Sequence, residues 1–183
     1  MRSDPDFTLA GTPNPLAPDY TSFRVSERLL LSGHSHQAWP DIAQDGLNEA
    51  WTDAAHHVDH KWAAAFAKAE RVKAGFRALL GDPSGCYSLA GSTHAVLVRW
   101  LSALPLDTRP KLVVTTGEFH AMRRQLQRVA EAGIEVVWVR SKPEATVAER
   151  LAAEVDDRTA AALTSTVFFQ TGAIAGDLSP LTA

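Results

Sequence analysis

Apolar and polar positions along the chain change period near residue 85. Between 41 and 57, Ile42, Leu47, Ala50, Trp51 and Ala54 recur at helical spacing, and Asp41, directly after Pro40, is placed to cap the first turn. From 61 to 80 a stripe of Trp62, Phe66, Ala69, Val72, Phe76 and Leu79 predicts a second helix, with Gly81 at its C-cap. Beyond Gly85, short apolar runs alternate with helical stretches, the pattern of parallel βαβ units. Strands are expected at 86–89, 111–115, 134–139 and 160–168. Helices are expected at 94–104, 119–132 and 143–155, the last opening on Pro143. Ala95, Leu97, Val98, Leu101 and Leu104 are expected to face inward from the first of these. Upstream, residues 1–22 carry Pro5, Pro13, Pro15 and Pro18 with Gly11 and Asn14, which favours an extended arm over a helix. A short apolar segment at 23–31 and a polar turn, Ser32-Gly33-His34-Ser35-His36, follow and end at Trp39-Pro40. The expected class is α/β.

Composition narrows the function classes. The 183 residues include 18 basic and 21 acidic side chains scattered along the chain, for a formal charge of -3, so no basic stripe is available to neutralise a nucleic-acid backbone. Cys86 is the lone cysteine, which rules out an intramolecular disulfide and a multi-thiolate metal site and fits a reducing cytoplasm. The first 18 residues lack the basic patch and apolar stretch of an export signal. No later apolar run is long enough to span a bilayer. Neither nucleic acid nor membrane is expected as a partner.

Candidate chemistry gathers where strands are expected to end. Ser88-Leu89-Ala90-Gly91-Ser92-Thr93-His94-Ala95 joins a strand to a helix through small residues and two hydroxyls; free amides at a helix start favour an anion, and the same residues also make an ordinary helix cap. The stretch has neither the lysine of a Walker loop nor the further glycines of a dinucleotide fingerprint. Thr115-Thr116-Gly117-Glu118-Phe119-His120-Ala121 occupies a second strand end, where Phe119 can cover an aromatic ring or fill the core. Gln170-Thr171-Gly172 stands at a third. A separate reading is a zinc site, from His56 and His60 at i, i+4 spacing with His57, Asp59, His34 and His36 nearby, although the glutamate of the zincin motif is missing.

Taken in order, Leu31 to His36, Trp39-Pro40, Ala90-Gly91-Ser92-Thr93, Glu118-Phe119-His120-Ala121 and Gln170-Thr171-Gly172 resemble class V, fold-type I pyridoxal-phosphate (PLP) enzymes, most closely the kynureninase branch. The resemblance implies that Gly91, Ser92 and Thr93 bind the cofactor phosphate. It implies that Phe119 stacks on the pyridine ring, where cysteine desulfurases usually carry histidine, and that Thr171 lies beside the cofactor. Gly33, His34, Ser35 and His36 would contribute to the substrate pocket. The implied architecture is a three-layer large-domain fragment at 82–183, preceded by an arm and substrate-side turn at 1–40 and a helical segment at 41–81. The implied activity is PLP-dependent transformation of an amino acid, kynureninase-like hydrolytic C–C cleavage first and class V aminotransfer second. A homodimer, or association with a missing C-terminal portion, goes with it. The family's Schiff-base lysine and pyridine-facing aspartate would fall beyond Ala183, so this chain alone is expected to be inactive. A non-catalytic relic or interaction protein is the alternative from another class. Lys142 is the one lysine expected on the cofactor rim.

Overall fold

Strand β1, Lys111–Thr115, is buried at all five positions, a pattern that demands hydrogen-bonded neighbours on both edges and cover on both faces. The computed structural model supplies both, and it describes residues 14–28 and 37–181. β1 pairs in parallel with β2, Glu135–Val139, on one side and β3, Thr159–Leu163, on the other, giving the strand order β2-β1-β3. The β1–β3 register slips between Lys111 and Leu112, which pair with Thr159 and Ala161. The chain divides into two compact units, Met1–Cys86 and Tyr87–Ala183, and the sheet lies in the second.

In the first unit, helices α1, Ile42–His57, and α2, Lys61–Leu80, occupy the expected ranges, and Gly81 ends α2 with φ 63°, the left-handed cap that glycine adopts freely. Lys68 ties the two helices together through Glu49 at 3.0 Å and Asp53 at 2.9 Å. No residue of either helix is buried, and most of the expected stripe, Trp62 and Phe66 included, is exposed. Two local expectations are corrected. Residues 17–23 wind into a short 3-10 helix with Pro18 in its first turn, where fixed φ suits a helix start. Asp41 does not cap α1; its carboxylate turns to the 3-10 segment instead and accepts from the Thr21 amide at 2.9 Å, the Thr21 hydroxyl and the Ser22 amide at 3.0 Å.

The second unit is built in three layers. Helices α3, Thr93–Ser102, and α4, His120–Glu131, pack Leu97, Leu101 and Leu126 against Leu112, Val114 and Leu163 on one face of the sheet. Helix α5, Val147–Ala153, packs Val147 and Leu151 against Val113 and Val139 on the other. Right-handed crossovers that leave a strand in opposite directions put their helices on opposite faces, as α4 and α5 are here.

Three expected elements are shorter or absent. Residues 86–90 form no strand. The stretch at 143–155 is a 3-10 turn, Glu144–Thr146, followed by the seven residues of α5. β3 ends at Leu163, and the chain then folds back so that Val167 bridges Ile174 antiparallel. Of the α3 residues expected to face inward, Leu97 and Leu101 are buried, whereas Val98 is 38% exposed.

Asp41 gives a direct check on the first unit. Its hydrogen bonds from Thr21 and Ser22 favour the ionised form and hold its pKa down to about 2 from an ordinary 3.8. A carboxyl depressed in the fold contributes stability that is fully present above 3.8 and lost as pH falls through about 2. A carboxyl-carbon NMR titration should show that low midpoint, and Thr21→Val should move it upward; a wild-type midpoint at the ordinary value would contradict the arrangement. In the second unit, a Cβ at Gly117 would lie 2.5 Å from Phe168 Cδ1 and 2.9 Å from Ser141 Cβ. Gly117→Ala should therefore lower the urea midpoint by the equivalent of about 1–3 kcal/mol.

Candidate functional site

The carboxyl ends of β1 and β3 lie side by side at one rim of the sheet, where open parallel sheets bind ligands. A cavity of about 450 Å³ opens there, within the range of about 300–1,000 Å³ usual for small-molecule sites. Its lining includes Ser92, Thr93 and His94 from the start of α3, Glu118 and Phe119 from the β1–α4 loop, and Ser165 from the segment after β3. Leu97, Ala121 and Met122 make the remaining walls apolar.

The α3 end of the cavity is a helix N-terminus. Ser92 is the N-cap in extended backbone, and its Oγ accepts from the Ala95 amide at 3.2 Å. That bond uses an oxygen lone pair and leaves the hydroxyl hydrogen to donate outward. The amides of Thr93 and His94 precede the first intrahelical bond, Val96 to Ser92 at 3.1 Å, so they carry the positive end of the helix dipole toward the cavity.

The floor is set by Glu118, which is fully buried. Its carboxylate accepts from the Thr115 hydroxyl at the end of β1, from the Ser165 amide at 2.8 Å and from the Ser165 hydroxyl at 2.6 Å. One side chain thus spans the two strand ends. Directly after it, Phe119 is 48% exposed, with its ring centroid 3.9 Å from that of His120 and 5.1 Å from that of Phe169. Phe169 rides on a turn whose preceding residue, Phe168, is buried under Gly117.

Of the residues singled out from sequence, the cavity brings together Ser92, Thr93 and Phe119. Gly91 sits exposed just before them, outside the lining. Thr171 is also outside the lining; it stands at the tip of the 168–173 turn, where its hydroxyl accepts from the Ala173 amide at 3.2 Å and Gly172 takes φ 67°. Gly33, His34, Ser35 and His36 lie outside the described residues. Lys142 is exposed in the loop after β2 and does not line the cavity. Lys111 lies at the opposite end of β1, donating to the Glu154 carbonyl at 2.7 Å and to Asp156 at 2.8 Å, which holds the Asp156 carboxyl below its ordinary range.

The zinc spacing depends on a continuous helix, and that helix breaks. α1 ends at His57, Val58 has φ 27°, and His60 is the N-cap of α2, so His56 and His60 are not one turn apart on a shared face. Among the described residues no three His, Cys, Asp or Glu side chains converge.

His94, Glu118 and Ser165 line the cavity without having been assigned a role from sequence. Glu118 and Ser165 meet across 47 positions, a pairing that periodicity cannot reveal, and Ser165 fell inside a segment read as strand. Fold and cavity together define an α/β chain with a ligand-sized crevice at the carboxyl ends of β1 and β3. No protein-family model, curated protein or solved structure matches the chain. Among the described residues no helix is long and apolar enough to cross a membrane.

Replacing Glu118 with alanine would leave the Ser165 amide, the Ser165 hydroxyl and the buried Thr115 hydroxyl without their acceptor. The loss should be about 2–4 kcal/mol in chemical denaturation. A change within about 0.5 kcal/mol, the range of ordinary surface substitutions, would mean that the bridge does not hold the strand ends.

Proposed function

We propose that this chain is the cofactor-cradling part of a fold-type I PLP enzyme of the class V kind, acting on an amino acid, with kynureninase-like hydrolytic C–C cleavage as the parent activity and aminotransfer as the close alternative. The supporting observation is that Ser92, Thr93 and Phe119, three residues implied by the family resemblance, line one cavity at the carboxyl ends of β1 and β3.

The residues fit the binding half of the cofactor. A phosphate ester at the start of α3 would take hydrogen bonds from the Thr93 and His94 amides and from the Ser92 and Thr93 hydroxyls, with the helix dipole adding to the attraction. The Phe119 ring is exposed on one side and steadied on the other by His120 and Phe169, as a stacking wall needs to be. Leu97, Ala121 and Met122 give the cavity apolar walls. When bound, PLP supplies an electron sink for bonds at the substrate's α-carbon.

The reacting half is not built from the described residues of this cavity. No lysine lines it, and its one carboxylate, Glu118, is committed to Thr115 and Ser165. Those two facts favour a second reading in which the chain binds the cofactor or a similar phosphate without carrying out chemistry alone. Pairing with a second copy, or with a separate C-terminal portion that supplies the missing groups, goes with the first reading.

Fluorescence titration of the chain with PLP and with pyridoxal, which lacks the phosphate, tests the cradle. PLP should bind at least roughly tenfold more tightly, about 1.4 kcal/mol, and Thr93→Ala should remove most of that difference. Equal affinity for the two compounds, or no saturable binding of either, would overturn the proposal.

A further inference from the structure

A second cavity of about 450 Å³ adjoins the first and shares His94 and Ala121 with it. It lies between the start of α3 and the outer side of α4, and its other lining residues are Arg124, Gln125, Gln127 and Arg128. Every one of these side chains except Ala121 carries an N–H donor, and no carboxylate lines the groove. Arg124 and Arg128 are one turn apart on α4, where two like charges repel unless an anion sits between them. Glu131 answers only Arg128, through one nitrogen at 2.6 Å, while Arg124 is exposed and has no acidic partner among the described residues.

We propose that this groove is an oxyanion subsite, taking the carboxylate or phosphate of a small ligand through the Arg124 and Arg128 guanidiniums with the carboxamides of Gln125 and Gln127. Planar guanidinium forks match both kinds of group in paired hydrogen bonds. The shared His94 makes the groove continuous with the crevice at the β1 and β3 ends, so a ligand seated in the crevice reaches it with an acidic end. If the PLP reading of the first cavity holds, the groove selects amino-acid substrates that carry a second acidic group. The subsite itself stands on its own lining and does not depend on that reading. A long polyanion fits less well, because the donors are confined to one cavity on a chain of net charge -3.

The test is a pair of NMR titrations of the whole chain, one with succinate and one with inorganic phosphate, followed at the amides of residues 94 and 121–128. Saturable shifts centred on Arg124 are expected for at least one anion, and the stronger binder identifies the group as carboxylate or phosphate. Arg124→Gln should weaken that binding roughly tenfold, and Arg124→Gln with Arg128→Gln should abolish it. Thr93→Ala, which probes the first cavity, should leave it unchanged, and Arg124→Gln should leave PLP affinity unchanged, so the two sites succeed or fail separately. The proposal is overturned if neither anion saturates, if both arginine variants bind like wild type, or if Thr93→Ala abolishes the response. Saturation by single-stranded RNA in the absence of any response to the small anions would likewise overturn it.

Discussion

A buried carboxylate holds the functional end of this fold together. Main-chain pairing between β1 and β3 stops at their carboxyl ends, at Thr115 on β1 and Leu163 on β3, and the two chains part there. Glu118 closes that opening by accepting from one hydroxyl on the β1 side and from an amide and a hydroxyl on the Ser165 side. A polar group away from water is tolerated when hydrogen bonds compensate it, and three donors do so here. Once Glu118 is fixed, so is the backbone of its neighbour Phe119, and with it the wall of the cavity.

A second fastening acts from above. Gly117 has no side chain because the Phe168 ring and Ser141 occupy the space a Cβ would need. Phe168 is delivered there by the turn that bridges Val167 to Ile174, and the same turn sets Phe169 edge-on to Phe119. The fold-back that ends β3 early is therefore what braces the rim. A strand continuing to 168 would have run past β1 with no partner, since β1 ends at Thr115, and would have left backbone donors unmatched.

Sequence reading succeeded where short-range periodicity decides structure. The ranges of α2 and β1 and the positions of α1, α4 and β2 follow from apolar spacing and, for α2, from Gly81 at the helix end. It failed where a distant partner decides. Asp41 has the sequence position of a cap, yet Thr21 and Ser22 offer it three donors from 20 and 19 residues away. Glu118 looks like a loop acid until Ser165 is brought beside it. The His56–His60 spacing loses its meaning once the chain turns at Val58. Arg124 and Arg128 drew no reading from sequence, because only the approach of His94 from α3 makes them the side of a groove.

The start of α3 gives both cavities the same polarity. Its cap engages a lone pair of the Ser92 hydroxyl and leaves the hydroxyl hydrogen free to donate toward the first cavity, beside the Thr93 hydroxyl and the first free amides. On the other side of His94 the lining is donors again, from arginine and glutamine. A site with spare acceptors would admit a cation or a protonated amine as readily as an anion. Here the one carboxylate in the linings, Glu118, already accepts three hydrogen bonds from Thr115 and Ser165, which leaves it little to offer a cation. On the proposed reading, preference for negatively charged groups would arise from the donors gathered at this rim and not from net charge, since the chain is itself slightly acidic.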